Sequence, residues 1–247
     1  MDNAVADIIA GWPAPPNVRA LTTLRSGGVS LPPFASFNLA DHVGDDPGAV
    51  ALNRRHLRQR LRLPAEPVWL TQVHGTTVVD AARAAPNTQA DGSFTDRPDV
   101  VCSVLTADCL PIFLCDESGT RVAILHAGWR GLAAGVVERG IEAMAASPAT
   151  LMAWLGPAIG PQAFEVGAEV REAFTLGNAA AADLFTPGRD GHFFADLYAL
   201  ARLRLAAAGV NRIFGGGLCT VADQVRFFSY RRDGACGRMA SLIWIER

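Results

Sequence analysis

The sequence predicts an α+β fold, a layered sandwich in which helices flank a mixed β-sheet. Half of the 247 residues are hydrophobic, which is ample for a sizeable core. Strand-like runs follow one another between residues 100 and 125 without an intervening helix, which excludes a simple alternation of strands and helices. Gly and Pro punctuate the whole length and no internal repeat occurs, so we expect a single domain over residues 1–247.

The individual elements are predicted from two hydrophobic periods, alternation for strands and a 3.6-residue repeat for helices. Strands are expected at Val18–Leu21, Val68–Gln72, Val100–Leu105, Pro111–Cys115, Val122–Leu125, Leu151–Leu155, Arg212–Phe214, Phe227–Tyr230 and Leu242–Ile245. Helices are expected at Ala49–Leu61, Gly131–Ala146, Glu169–Phe174 and Asp196–Ala208. The last helix has Asp196 as its N-cap, and Gly209 follows it as a stop signal.

The charge balance excludes several classes of partner. The net charge is −2 and the isoelectric point is about 6.2. The chain therefore lacks the basic excess that nucleic acids and acidic lipids attract. The arginine-rich segment 54–62 is interleaved with Leu57 and Leu61, which is the pattern of the solvated face of an amphipathic helix. We expect no nucleic-acid partner and no membrane partner.

The chain also lacks the usual signs of export. Its N-terminal segment has early acidic residues, no basic start and a Pro cluster after a few apolar residues, unlike a signal peptide. No apolar run reaches the roughly 18–20 residues of a membrane helix. The five cysteines are odd in number and have no short paired spacing, which favours a reducing compartment. We expect a cytoplasmic protein.

Three side chains with metal-binding chemistry stand where predicted strands end. His74 follows the run 68–72, Cys109 lies in a polar break between two apolar strands, and His126 lies where a strand meets the start of a helix. Sheet proteins often place their working side chains at such positions. Two imidazoles and one thiolate suit zinc, and three protein ligands leave its fourth position open for water or substrate.

Spacing alone does not decide between a metal site and ordinary structural residues. The three side chains are far apart in sequence and match no short metal motif. A buried cysteine commonly packs as a small hydrophobe, and a buried histidine is commonly a core residue with its hydrogen bonds satisfied. From the residues alone, both interpretations remain open.

The same segments resemble the signature blocks of the YfiH-like laccase-domain family. The central blocks are Gln72-Val73-His74-Gly75, Ala107-Asp108-Cys109-Leu110-Pro111 and His126-Ala127-Gly128-Trp129-Arg130-Gly131. Further blocks appear in the family's order across residues 19–243, at Thr23–Ser30, Phe37–Leu39, Gly44–Asp46, Asn53–Arg55, Gly156–Gly160, Phe164–Gly167, Leu218–Thr220, Phe227–Arg232 and Gly237–Met239. So many blocks in the right order identify the chain as a member of this family.

The resemblance implies a metal held by His74, Cys109 and His126, in an α+β sandwich whose blocks converge on one pocket. Family members are described as purine nucleoside phosphorylases and, formerly, as polyphenol oxidases. The implied activity is phosphorolysis of adenosine, inosine, guanosine and methylthioadenosine, with adenosine deamination as a side reaction. The expected partners are therefore a purine nucleoside and phosphate. The expected cofactor is zinc, with copper as a substitute in vitro.

Deamination and phosphorolysis make different demands on the protein. Deamination needs activated water and a carboxylic acid that shuttles protons, for which Asp108 and Glu165 are the candidates. Asp108 is equally well explained as a cap of the turn before Cys109. Phosphorolysis breaks the glycosidic bond through an oxocarbenium-like state while phosphate attacks C1′, so it needs guanidinium groups that hold phosphate.

Six further residues are candidate substrate ligands. The arginines in Gly-rich or polar blocks, which differ from those of the arginine-rich helix, are candidates for phosphate: Arg25, Arg130 and Arg231. The polar side chains Asn38, Gln72 and Ser229 are candidates for ribose or base. Turns and strand ends use the same residue types for structural reasons, so a purely structural role stays open for each of them.

Other functions also remain open. The resemblance implies, for a bacterial branch, a metal-dependent amidase that edits a UDP-linked peptidoglycan precursor. It also implies copper-dependent oxidation of phenols, which we expect to be adventitious because a single three-ligand site and five histidines are too few for several coppers. A non-enzymatic protein with a structural zinc is disfavoured by the open fourth position. The sequence makes no prediction of oligomeric state.

Overall fold

The computed structural model describes residues 7–247. Its strands are β1 (Ile8–Ile9), β2 (Val18–Thr22), β3 (Val78–Asp80), β4 (Gly92–Thr95), β5 (Cys102–Thr106), β6 (Leu110–Asp116), β7 (Val122–Ala127), β8 (Leu151–Leu155), β9 (Glu165–Gly167), β10 (Phe185–Pro187), β11 (His192–Ala195), β12 (Arg212–Gly215) and β13 (Met239–Ile245). Its helices are α1 (Pro47–Leu61), α2 (Trp129–Ala134), α3 (Val136–Met144), α4 (Ala168–Thr175), α5 (Leu197–Ala207) and α6 (Tyr230–Asp233). Residues 1–6, which begin the segment for which no signal peptide is expected, lie outside the described residues.

Two sheets form the centre of the fold. The larger has six strands in the order β12-β8-β6-β7-β4-β3, and it is antiparallel except at its two edge pairs, β12–β8 and β3–β4. The second is antiparallel, with the order β1-β2-β13-β5. A small antiparallel sheet, β10-β11-β9, lies apart from these two. The mixed sheet and its helices confirm the predicted α+β sandwich.

Alternation along the central strands explains the layering, because successive side chains of a strand point to opposite faces. In β6, Ile112 and Leu114 pack in the same cluster as residues of α3 and α5, whereas Phe113 and Cys115 pack against the four-stranded sheet. The outer face of that second sheet is covered by Leu57 of α1. The layers therefore run helices, six-stranded sheet, four-stranded sheet, helix.

Two predicted strands are wrong. The segment 68–72 forms only isolated bridges, and the Gln72 side chain replaces a backbone ladder by donating to the Leu105 carbonyl and accepting from its N–H. The segment 227–230 is apolar because Phe227 and Phe228 are buried, yet it turns into α6, where the Ser229 hydroxyl accepts from the Arg232 N–H as an N-cap. The other seven predicted strands are confirmed in position within a few residues.

The helices follow the prediction with one correction. The predicted helix Gly131–Ala146 is two helices, because the chain is left-handed at Gly135 (φ 104°) between α2 and α3. The predicted caps of α5 are confirmed, since the Asp196 carboxylate accepts from the Ala199 N–H and Gly209 has φ 90°. Within residues 7–247, no helix combines the length and the apolar character needed to span a bilayer.

Candidate active site

The strand register brings the three predicted metal ligands together. His126 lies near the end of β7 opposite Pro111 of β6, and Cys109 directly precedes β6. His74 arrives from the loop before β3, in a left-handed conformation with φ 59°. Its Nε2 atom lies 3.8 Å from the Cys109 sulfur. Three distant segments therefore converge at one end of the six-stranded sheet.

The donor atoms of His74, Cys109 and His126 have the spacing that a metal ion requires. All three lie within 4.8 Å of one another, and the two imidazole rings meet edge to face with centroids 4.8 Å apart. Tetrahedral zinc–nitrogen and zinc–sulfur bonds of about 2.1 and 2.3 Å place the two donors about 3.6 Å apart. His74 is exposed, Cys109 is partly buried and His126 is buried, so the group is open on one side. The residues present fit a zinc-type ion.

The charges within the group favour a thiolate. Burial alone would raise the pKa of the Cys109 thiol, but His126 and His74 outweigh this effect and lower its pKa to about 6. Burial also opposes the protonated form of His126, while Cys109 and Asp91 raise its pKa above the ordinary value. The thiolate is the form of cysteine that binds metals.

A buried carboxylate that the sequence did not reveal supports this group. Asp91 is completely buried, and its Oδ1 accepts from His126 Nδ1 at 2.8 Å and from the His74 N–H at 2.9 Å. Its Oδ2 accepts from the Gly75 N–H at 2.6 Å. Burial would raise the pKa of Asp91, but these hydrogen bonds overcome it and hold the pKa below its ordinary value. The only sequence signal is an isolated acid directly before the strand β4.

Glycines leave room for the ligands. A Cβ atom on Gly128 would lie 2.8 Å from Cδ2 of His74 and 3.1 Å from the Cys109 sulfur. A Cβ atom on Gly131 would lie 2.7 Å from the Gly75 carbonyl oxygen. Such contacts are closer than packed side chains tolerate, so both positions require glycine for the close approach of two chain segments.

Two cavities meet at the metal-ligand group. The larger, of about 410 Å³, is lined by the three ligands together with polar groups: His42, Gln72, Thr106 and Arg238 among them. The smaller, of about 300 Å³, is lined largely by apolar residues such as Ile159, Phe164 and Leu197. Cys109 and Tyr230 belong to both walls. We call them the metal cavity and the apolar cavity.

Four of the predicted catalytic and substrate-binding residues line these cavities. Gln72 lines the metal cavity, although both ends of its amide bond to the backbone of Leu105. Arg130 and Arg231 line the apolar cavity, where each guanidinium lies over an aromatic ring. Asp108 lines it as well, and its carboxylate accepts from the Thr220 hydroxyl and from the Arg231 N–H.

The other four are not part of either wall, and their side chains contact the protein. Arg25 donates to two backbone carbonyls and lies over Phe228. The buried Asn38 accepts from the Arg238 N–H. Ser229 caps α6, as described above, and the Glu165 carboxylate pairs with Arg189 at 3.3 Å. Their roles in catalysis and binding stay predictions.

Among the wall residues that the sequence analysis left without a role, three have large polar side chains. Arg238 and His42 line the metal cavity, and Tyr230, which is 61% exposed, stands between the two cavities. The Arg238 guanidinium lies 5.8 Å from the Tyr230 ring centroid. Burial and the nearby charge of Arg238 lower the pKa of His42. Arg238 lies in the family block Gly237–Met239, and that block was the sequence signal that could have indicated its place at the site.

Comparison with known proteins shows the family of the chain. A family model described as multi-copper polyphenol oxidoreductase laccase matches residues 19–246. A purine nucleoside phosphorylase of Pseudomonas aeruginosa is 55% identical over 95% of this chain and 96% of its own length. The purine nucleoside phosphorylase YfiH of Escherichia coli is 51% identical over 96% of this chain and 98% of its own.

Solved structures agree in fold. The crystal structure of a Neisseria meningitidis protein of the family DUF152 superposes with a TM-score of 0.94 at 52% identity, covering 98% of this chain and 99% of that one. The crystal structure of YlmD from Geobacillus stearothermophilus superposes with a TM-score of 0.92 at 32% identity, covering 100% of this chain and 98% of that one. The arrangement of sheets described above is therefore shared along nearly the whole chain.

Proposed function

This chain belongs to the multi-copper polyphenol oxidoreductase laccase family, and from that premise we propose that it is a zinc-containing purine nucleoside phosphorylase formed by a single domain. Relatives that carry this activity in their names match nearly its whole length. In the proposed reaction the bond between C1′ and the purine nitrogen breaks, and a bond between C1′ and a phosphate oxygen forms. The purine leaves with the electron pair and takes up a proton.

The observation that carries the proposal is a pair of guanidinium groups that lie beside the metal-ligand group without a carboxylate partner in the described part of the chain. Arg130 and Arg231 line the apolar cavity, and neither has a carboxylate within 4.0 Å among residues 7–247. Each is held over an aromatic ring, Arg130 at 4.4 Å from the Trp129 centroid and Arg231 at 5.6 Å from the Phe164 centroid. Arg231 Nη1 also donates to the backbone carbonyls of Ala163 and Glu165, so its Nε and Nη2 groups are the donors left for phosphate. A guanidinium edge of this kind is suited to bidentate contacts with phosphate.

The two cavities suggest how the substrate lies. The polar groups of the metal cavity, including Arg238 and His42, are suited to hydrogen bonds with the edge of a purine. Phosphate would then lie beside Arg130 and Arg231, and the pentose would cross the shared wall at Cys109. This orientation places the reacting carbon between the base and the phosphate, as phosphorolysis requires.

The same orientation supports adenosine deamination as a side activity. When bound, the ion supplies a Lewis acid with an open position, which can activate water at neutral pH. His74 is the exposed ligand and faces the metal cavity, so the purine ring would meet the open side of the group. Asp108 is better placed than Glu165 as the proton shuttle, because it lines the adjoining cavity next to Cys109.

The test is whether the protein forms ribose 1-phosphate from inosine. Phosphorus NMR monitors the reaction in the presence and in the absence of phosphate. We expect the sugar phosphate and hypoxanthine in equal amounts, only when phosphate is present. Arg231→Ala should raise the KM for phosphate about tenfold or more, and should change the KM for inosine less. Arg212→Ala, an exposed arginine that pairs with Glu117 on the edge strand β12, is the control and should behave as the wild type.

Two results would contradict the proposal. Release of hypoxanthine at the same rate without phosphate would make the protein a hydrolase. Turnover of a UDP-linked peptidoglycan peptide far above that of nucleosides would favour a metal-dependent amidase, for which the arginines would hold the diphosphate. Copper-dependent oxidation of phenols has less support, since within residues 7–247 one group of three or more His, Cys, Asp or Glu side chains has metal-binding spacing.

A further inference from the structure

Asp91 contacts the metal-ligand group through both its backbone and its side chain. It directly precedes β4, and the register of β4 with β7 places it opposite His126. The His126 N–H donates to the Asp91 carbonyl oxygen at 2.6 Å, so the two residues are already paired through the backbone. The side-chain contact between His126 Nδ1 and Asp91 Oδ1 adds a second connection between them.

The Asp91 carboxylate also fixes the loop that carries the second histidine. It accepts from three consecutive backbone N–H groups, those of Val73 at 3.3 Å, His74 at 2.9 Å and Gly75 at 2.6 Å. These contacts hold His74 in its left-handed conformation, which directs its ring towards Cys109. A carboxylate that is completely buried must gain such donors to offset the loss of water.

We infer that Asp91 is a positioning residue that orients both imidazole ligands towards the ion with one carboxylate. The hydrogen bond from Nδ1 fixes the tautomer of His126 in which Nε2 is free to bind the metal. The three backbone bonds set the position of His74. The inference rests on the metal centre of the proposed function and is independent of the choice of substrate.

The chain offers a matched control in Asp116, another buried carboxylate. Asp116 is 6% exposed and accepts from two hydroxyls and two backbone N–H groups. It ends the strand β6 at the edge of the sheet opposite the metal ligands. Loss of a buried carboxylate is therefore common to Asp91→Asn and Asp116→Asn, whereas contact with the ligands is lost in the first alone.

The experiment measures zinc affinity on the full chain, stripped of metal and titrated with zinc chloride against a chromogenic chelator. We expect Asp91→Asn to raise the Kd for zinc 10- to 100-fold, because an amide cannot accept from all these donors. Asp116→Asn should leave the Kd within about twofold while lowering the unfolding temperature. An unchanged Kd in Asp91→Asn, or an equal rise in both variants, would overturn the inference.

A second measurement keeps the inference testable if Asp91→Asn fails to fold. Nitrogen-15 NMR of the histidine rings in the zinc-loaded wild type reports which ring nitrogen carries the proton. We expect the proton of His126 on Nδ1, with the slow exchange of a buried hydrogen bond. A proton on Nε2 would contradict the assigned role of Asp91. A wild type that binds no zinc would instead defeat the metal centre itself, which separates the two failures.

Discussion

A buried aspartate lies at each end of the β6–β7 strand pair, and the two aspartates have different roles. Asp116 lies at the hairpin turn, where all its donors come from residues 118–121. Asp91 lies at the ligand end, where its donors are residues 16 to 35 positions away in the chain. The first carboxylate holds together a local turn, and the second holds together segments that only the tertiary fold unites.

The electrostatics of the two carboxylates are nevertheless alike. Burial alone would raise the pKa of each, and hydrogen bonds to the ionised form lower it instead. The difference lies in the partners. Asp116 is satisfied by neutral hydroxyls and amides, whereas Asp91 also contacts an imidazole whose other side meets a thiol. The comparison therefore separates a carboxylate that stabilises a turn from one that prepares a site.

The largest expected effect concerns the two cysteines near the ends of the same segment. Cys109→Ala should lose bound zinc almost completely, because two imidazoles remain at an open site. Cys115, which lies in β6 near the turn, is the control; burial raises the pKa of its thiol to about 12, so it stays protonated. Cys115→Ala should retain the metal. Elemental analysis of the purified proteins measures this, and a full zinc equivalent in Cys109→Ala would remove that residue from the ligand set.

Two glycines, one at each end of the β6–β7 strand pair, should have different effects when replaced by alanine. Gly128→Ala brings a methyl group against His74 and Cys109, so zinc affinity should fall by about tenfold or more. Gly119, in the hairpin turn, has φ 68°, and a Cβ atom there would collide with Oδ1 of the Asn17 side chain. Gly119→Ala should lower the free energy of unfolding by about 1–3 kcal/mol and leave zinc affinity unchanged. An equal fall in zinc affinity in both variants would show that the ligand end and the turn end of the strand pair are coupled.

The same contrast explains what the sequence could predict. Continuous apolar runs such as Val122–Leu125 and caps such as Asp196 are local signals, and the predicted elements at these places are confirmed. The grouping of His74, Cys109 and His126 could be predicted because each of them lies in a block of the recognised family. Gly135 was overlooked as a helix break, since an isolated glycine in a helical pattern is usually tolerated.

The remaining features depend on contacts that sequence position does not encode. The short strands β9, β10 and β11 have no more than four residues each, too few for a clear period. Arg25 and Arg231 lie in similar polar blocks and both donate to backbone carbonyls, and only the tertiary structure shows that Arg231 lines the apolar cavity whereas Arg25 does not. Asp91 was missed for the same reason, because none of its donors is nearby in the chain.

A smaller effect is expected at the turn. Asp116→Asn should lower the free energy of unfolding by about 2 kcal/mol at pH 7, since the amide cannot accept from every former donor. In the folded wild type the pKa of Asp116 is lowered. Its carboxylate therefore contributes its full stabilisation at a pH above the pKa of the unfolded state, about 3.9, and this stabilisation is lost as the pH falls through the pKa of the folded state. Urea unfolding from pH 7 to pH 3 should therefore show the gap between the two proteins narrowing below about pH 4. A constant gap would mean that the charge of Asp116 has no part in the stabilisation.

The smallest effect isolates one donor of this turn. The Ser118 hydroxyl donates to Asp116 Oδ2 at 2.6 Å. If this hydroxyl is removed, the Thr120 hydroxyl and two backbone N–H groups still donate to the carboxylate. Ser118→Ala should therefore cost only about 1 kcal/mol of unfolding free energy. Zinc affinity should match that of the wild type, because the lost bond belongs wholly to the local turn. A measurable change in zinc Kd would mean that strain passes along β6 to Cys109, and the two carboxylates would then belong to one cooperative unit.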